Sequence, residues 1–89
     1  MGERYLRIKS EINNKLLPST LIIRDDSKSH ANHGNVKKNE KETHFYIKIV
    51  SAVFKNKTKI ERHKLVYEIL NNEFSKGLHA LELELSDTV

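Results

Sequence analysis

The side chains of this 89-residue chain that could bind a soft metal are five histidines; the chain has no cysteine. Without thiolates, metal chemistry must use nitrogen or oxygen ligands, or take sulfur from a partner. His30 and His33 form an H-x-x-H pair, a spacing that can chelate a metal on a turn. Without further ligands this is a weak signal, and two exposed loop histidines are the more frequent case.

The other three histidines have more ordinary interpretations from spacing. His44 falls on the polar side of an alternating segment, so a surface role is favoured. His63 lies in the first turn of a predicted helix, near its apolar stripe, where we expect it to pack and to hydrogen-bond a loop carbonyl. His79 shares the parity of Leu81 and Leu83, which predicts either a core position or a position at the sheet edge.

A second candidate site is a basic cluster in the segment FKNKTKIERHK. Its cations surround a turn and the start of a helix, where phosphates could bind. They are Lys55, Lys57, Lys59, Arg62 and Lys64. A solvated basic face that also attracts an acidic partner is an interpretation at least as good.

Catalytic motifs are missing from the sequence. There is no glycine-rich phosphate loop, no nucleophilic cysteine and no serine in a G-x-S-x-G turn. Histidines alone, without a convergent nucleophile, do not make a mechanism. We therefore predict that the chain is not an enzyme.

Length and composition predict one small domain over residues 1–89. Hydrophobic residues make up 37% of the chain and charged residues 31%, with a formal net charge of +4. This balance is typical of a globular domain with a solvated surface. The N-terminal stretch is charged and no long apolar run occurs, so we expect a soluble, cytoplasmic protein that does not bind a membrane.

Periodicity predicts the elements that position these residues. An amphipathic helix is expected over 3–17, a short strand over 21–23, a long flexible loop over 26–42 and an alternating strand over 43–51. A second helix over 60–74 carries Val66, Tyr67, Leu70 and Phe74 on one stripe. The strictly alternating LHALELEL forms a last strand, and residues 86–89 should fray. The order predicts an α+β domain in two layers, with the helices on one face of a three-stranded sheet.

Three stretches taken together resemble the BolA-like proteins. They are THFYIKIVSAVF, IERHKLVYEIL and GLHALELEL, which match a strand with (E/T)-H-F…I-V-S…F, a helix with R-H-(K/R)-x-V and a last strand with H-A-L. Upstream, DDSKSHANH resembles the family's D-E-S-x-x-H segment. The match covers about residues 21–85. It implies α-β-β-α-α-β order, similar to class II KH domains, with a short helix near Ala52–Lys55.

The resemblance also implies a function. BolA-like proteins pair with monothiol glutaredoxins and share a [2Fe–2S] cluster with them, in iron–sulfur assembly, trafficking or iron sensing. The family's ligands map onto His30 and His79, with His33 as second choice and His63 as a structural residue. The glutaredoxin would add its cysteine and the thiol of bound glutathione, so no cofactor is expected on the chain alone.

The same resemblance supports an alternative function. KH-like domains bind nucleic acid, and some BolA-like proteins are described as transcriptional regulators. DNA bound at the basic cluster is therefore the alternative partner, and a homodimer is a further candidate state. The family usually has glycine where this chain has Asn56, a residue that tolerates a left-handed turn.

Overall fold

The computed structural model describes residues 2–27 and 43–88. Its elements are helix α1 Glu3–Leu16, strand β1 Thr20–Asp25, strand β2 His44–Val50, a short 3-10 helix Ala52–Phe54, helix α2 Lys59–Ile69, helix α3 Asn71–Ser75 and strand β3 Ala80–Ser86. None of the helices in these two ranges is long and apolar enough to cross a membrane. The predicted loop 26–42 lies mostly outside the described residues.

The three strands form one mixed sheet in the order β1-β2-β3. β1 runs antiparallel to β2, whereas β2 runs parallel to β3. A parallel pair needs a crossover connection, and the 3-10 helix, α2 and α3 supply it. The α+β architecture predicted from the sequence is confirmed.

One face of the sheet forms the core with the helices. Phe45, Ile47 and Ile49 of β2 are buried, while the alternate side chains are partly exposed, as the period of two predicts. On α1 the buried residues are Ile8, Ile12 and Leu16, one stripe of a 3.6-residue period. α1 ends one residue earlier than predicted because Leu17 adopts a left-handed conformation, with Pro18 directly after it.

The second predicted helix is divided into two. Leu70 is buried in the core, and its φ of −100° and ψ of 13° depart from helical values and separate α2 from α3. Tyr67 is 42% exposed, so its predicted place on the buried stripe is wrong. The short helix predicted near Ala52–Lys55 is present at Ala52–Phe54.

Two residues of the segment 86–89, for which fraying was predicted, make contacts with the rest of the domain. Ser86, expected to fray, is the last residue of β3, and its carbonyl accepts a hydrogen bond of 3.0 Å from the Ser51 N–H. Asp87 forms an ion pair with Arg62 at 3.6 Å. These contacts attach the segment after β3 to the start of the crossover and to α2.

Candidate ligand site at the start of the last strand

His79 lies immediately before β3, and its side chain is exposed. Its backbone N–H donates a hydrogen bond of 2.8 Å to the carbonyl of Thr43, and the Ala80 N–H donates to the same oxygen at 3.2 Å. The preceding residue, Leu78, is buried in the core. Of the two sequence interpretations, the structure therefore selects the sheet edge over the core.

The turn before His79 has a fixed path. Gly77 has a φ of +116°, a conformation that L side chains rarely adopt. The guanidinium of Arg4 donates a hydrogen bond of 2.6 Å to the carbonyl of Lys76, and a Cβ on Gly77 would lie 3.1 Å from the same group. The main chain at His79 is thus held by the strand pairing on one side and by α1 on the other.

The imidazole of His44 lies beside that of His79. The parallel register aligns His44 with Ala80, so β2 and β3 begin side by side. The two imidazole rings meet edge to face, with centroids 5.6 Å apart and planes 82° apart. Thr43 Oγ1 and His44 Nδ1 share a hydrogen bond of 3.0 Å. This bond orients the His44 ring against His79.

Sequence reasoning missed this histidine pair. It correctly placed His44 on the polar face of β2, but it treated that position as ordinary surface. A signal in the sequence could have indicated the pair: one histidine is the first residue of β2, and another directly precedes the first residue of β3. Parallel pairing of those strands brings such residues together.

The predicted loop ligands, His30 and His33, lie outside the described residues. The described chain on either side of them is fixed beside the histidine pair. The Asp26 N–H donates a hydrogen bond of 2.7 Å to the His44 carbonyl, and the Thr43 carbonyl receives the bonds from His79 and Ala80. In residues 2–27 and 43–88, no three His, Asp or Glu side chains come together as a metal site would require.

His63 and Arg62 differ from their predicted roles. His63 is half-buried on α2, but within the described ranges its ring makes none of the predicted hydrogen bonds to a loop carbonyl. Arg62 makes that contact instead, since its Nε donates to the Lys57 carbonyl at 3.0 Å and its Nη1 donates to the Leu85 carbonyl at 3.5 Å. With its ion pair to Asp87, Arg62 is a structural residue at the junction of α2 and β3.

The remaining cations of the basic cluster lie at the surface. Lys55, Lys59 and Lys64 are exposed and Lys57 is half-buried. None of the four forms an ion pair with another residue in the described part of the chain. Asn56, between two of them, has a φ of +64°, so the turn does adopt the left-handed conformation that glycine would favour.

The start of α2 below this cluster is capped. Thr58 Oγ1 accepts the Glu61 N–H at 3.1 Å, and the Glu61 carboxylate accepts the Thr58 N–H at 2.7 Å, a reciprocal capping box. The bond from the Thr58 backbone is the main cause that lowers the pKa of Glu61. The Glu61 carboxylate therefore caps the N-terminal end of α2.

The sequence and the fold of this chain are similar to those of known proteins. The model of the family described as BolA-like protein matches residues 12–88. The chain belongs to the BolA-like family. Among solved structures, the BolA domain of SufE1 from Arabidopsis thaliana superimposes on this BolA-like chain with a TM-score of 0.87 and 36% identity, covering 98% of this chain and 95% of that one.

Curated relatives of this BolA-like chain differ in length and in name. The "SufE-like protein 1, chloroplastic/mitochondrial" of Arabidopsis thaliana is 38% identical over 86 residues, which are 93% of this chain but only 23% of that protein. The "DNA-binding transcriptional regulator BolA" of Haemophilus influenzae is 40% identical over 78 residues, 88% of this chain and 71% of that protein. The same domain therefore occurs both within a much longer protein and in a regulator of similar size.

Proposed function

We propose that this BolA-like chain binds a monothiol glutaredoxin and supplies histidine ligands to a [2Fe–2S] cluster shared between the two proteins. The observation that carries the proposal is the exposed imidazole of His79, fixed through its backbone at the start of β3. An imidazole that is exposed on a rigid strand end can reach a metal centre held by a second protein.

The second ligand in this proposal is His30, with His33 as second choice. His30 follows Ser27 by three residues, and a chain spans at most about 3.6 Å per residue, so His30 is tethered within about 11 Å of Ser27. Ser27 is itself next to Asp26, whose N–H is bonded to His44. The proposal requires this short length of chain to bring the His30 imidazole to the cluster that His79 binds.

The donor chemistry fits a shared cluster. The chain has no cysteine, so its share of the ligands is imidazole, and the thiolates come from the glutaredoxin cysteine and from glutathione. Histidine in place of cysteine raises the reduction potential of such a cluster. Imidazole binds metal only when unprotonated, which makes the ligation sensitive to pH. A ligand-sharing role of this kind, in cluster assembly, trafficking or iron sensing, requires no catalysis by the chain.

His44 has the role of a positioning residue in this proposal. Its ring contacts the His79 ring edge to face, and its Nδ1 shares a hydrogen bond with Thr43 Oγ1. Neighbours that orient a metal-binding histidine typically change metal affinity about 10- to 100-fold when they are removed. We expect His44→Ala to weaken cluster retention and leave complex formation with the glutaredoxin intact.

The test is to mix the chain with a cluster-loaded monothiol glutaredoxin and follow visible absorption and circular dichroism. A new spectrum is expected for the natural chain and for His63→Ala, which is the matched control because His63 is a half-buried histidine on α2. The His30→Ala/His79→Ala double variant should leave the glutaredoxin spectrum unchanged. The ligand assignment is wrong if the double variant gives the same spectral change as the natural chain.

A second candidate function is nucleic-acid binding at Lys55, Lys57, Lys59 and Lys64. It is favoured by the lack of ion pairs for these lysines within the described ranges and by the name of the Haemophilus influenzae relative. Arg62 leaves this set because its guanidinium is committed to β3 and Asp87. Affinity for duplex DNA should fall steeply with salt and drop in a Lys57→Gln/Lys59→Gln variant. Binding no tighter than that of an unrelated protein of equal charge would exclude this function.

A further inference from the structure

The outer face of α2 carries an apolar groove with a basic rim. Its lining residues follow the helical spacing of three and four along one face: Lys59, Ile60, His63, Lys64 and Tyr67. We call this shallow and largely open surface the α2 groove.

The domain does not use this groove for its own core. α2 packs inward through Val66, and Leu70 follows at its end, whereas Ile60 is 69% exposed and Tyr67 is 42% exposed. Ile60 and Tyr67 therefore lie two turns apart on one helix face and leave a small apolar surface uncovered beside the lysines.

Tyr67 is held in place for such a role. Its ring stacks on Phe74, with centroids 5.3 Å apart and planes 18° apart. One face of the ring is therefore covered by the chain itself. A rigid aromatic side chain that loses little entropy on binding is a typical anchor of a protein interface.

The charges around the groove select the chemistry of a partner. Lys59 and Lys64 line it, Lys57 lies nearby at the same end of α2, and in the described residues none of them is neutralised by an ion pair. The Glu61 carboxylate at the helix start accepts the Thr58 N–H and interacts electrostatically with Lys57 and Lys64, but it forms an ion pair with neither of them. The groove therefore offers positive charge around an apolar floor.

We propose that the α2 groove docks a segment of a partner protein in which an aliphatic or aromatic side chain is flanked by carboxylates. Nucleic acid fits the groove less well. A phosphate backbone would pair with the lysines but would leave Ile60 exposed to water, and Phe74 already occupies one stacking face of Tyr67. In a peptide with these properties, the carboxylates pair with Lys59 and Lys64 and the apolar side chain covers Ile60 and Tyr67.

The α2 groove is separate from the histidine pair. The groove adjoins a surface formed with Leu83 and Leu85 of β3, whereas His79 precedes the first residue of that strand. Leu83 and Leu85 follow His79 by four and six residues, which at about 3.3 Å per residue is about 13 Å and about 20 Å along the strand. The docking proposal can therefore fail while cluster sharing holds, and the reverse.

The experiment is to select binders to the full chain from a phage-displayed library of random short peptides. Enriched peptides should contain Asp or Glu on both sides of Leu, Ile, Phe or Trp. Their affinity should fall about tenfold or more for Ile60→Ser, and also for Lys59→Gln/Lys64→Gln. Leu6→Ser is the matched control, because Leu6 is an apolar residue 54% exposed on α1. It should leave peptide affinity unchanged, and thermal melts confirm that every variant is folded.

Four results of the peptide experiments would overturn the proposal. The first two are a selection that enriches no peptide and a selection whose enriched peptides lack carboxylates. The third is a peptide affinity that is the same for Ile60→Ser as for the natural chain. The fourth is displacement of the peptides by duplex DNA that binds Ile60→Ser as tightly as it binds the natural chain. Self-association that Ile60→Ser abolishes would also overturn it, because the occupant would then be a second copy of the chain.

Discussion

Replacing Glu73 by glutamine perturbs the contacts that hold the approach to His79. The Glu73 side chain is buried, and its carboxylate accepts hydrogen bonds from Arg7 Nε at 2.8 Å, Arg7 Nη2 at 2.9 Å and Arg4 Nε at 3.3 Å. Arg4 also bonds the Lys76 carbonyl in the turn before His79. These contacts join α1 to α3 and to that turn.

The size of the effect follows from burial. Removing one partner of a buried ion pair typically costs about 3–5 kcal/mol, and a hydrogen bond to a charged group contributes about 1.5–3 kcal/mol. The side chain of Arg7 is 38% exposed and that of Arg4 12%, so water compensates part of the loss. The amide of Glu73→Gln also keeps one acceptor. We expect a loss of about 2 kcal/mol in the free energy of unfolding, or about 8–16 °C in Tm for a domain of this size.

Urea and thermal unfolding measure this loss. Glu11→Gln is the matched control, because Glu11 pairs with Lys15 at 3.1 Å on the exposed side of α1 and should change stability by less than about 0.5 kcal/mol. Amide hydrogen exchange at Gly77 and His79 should become faster in Glu73→Gln than in Glu11→Gln, beyond the general change in stability. Equal unfolding free energies for the two variants would refute the assignment of Glu73 as the residue that joins these elements.

Three further predictions concern pH, the start of α2 and the turns. The hydrogen bond from Arg7 is the main cause that lowers the pKa of Glu73. The ionised Glu73 carboxylate therefore stabilises the fold fully above its ordinary pKa of about 4.5, and this stabilisation is lost as pH falls through the lower folded-state pKa. Glu73→Gln should flatten the pH dependence of the free energy of unfolding in that range. Thr58→Ala removes half of the capping box and should cost about 1 kcal/mol in chemical denaturation, whereas an unchanged midpoint would contradict the cap. Asn56 has a left-handed backbone, so Asn56→Ala should lower Tm and Asn56→Gly should not. Gly77 has a φ of +116°, so Gly77→Ala should destabilise the domain by about 1 kcal/mol or more. An unchanged Tm for Gly77→Ala would argue against the positive φ at this residue.

The elements that follow one strong period were predictable. α1 has a clear apolar stripe, and β2 and β3 alternate strictly, so local sequence indicates both the element and its buried face. The division of α2 from α3 was not predictable in this way. The division occurs at Leu70, an ordinary apolar residue in sequence, which is buried in the core and departs from helical φ and ψ.

The roles of two adjacent residues show the same limit. The contact with a loop carbonyl was predicted for His63 but is made by Arg62, whose longer side chain reaches Lys57 and Leu85. Neighbours on a helix point about 100° apart, and which of them faces the sheet depends on how the helix is rotated against it. Composition and periodicity do not determine that rotation.

The histidines mark the division between sequence and tertiary structure for this protein. The sequence by itself determined that this chain has five imidazoles and no thiolate to offer a metal, and the family pattern pointed to His79. Only the tertiary structure decided that His79 is exposed at the sheet edge and that His44 lies against it. The physical reason is the parallel pairing of β2 and β3, which aligns two strand starts that are far apart in sequence and depends on how the intervening helices pack on the sheet.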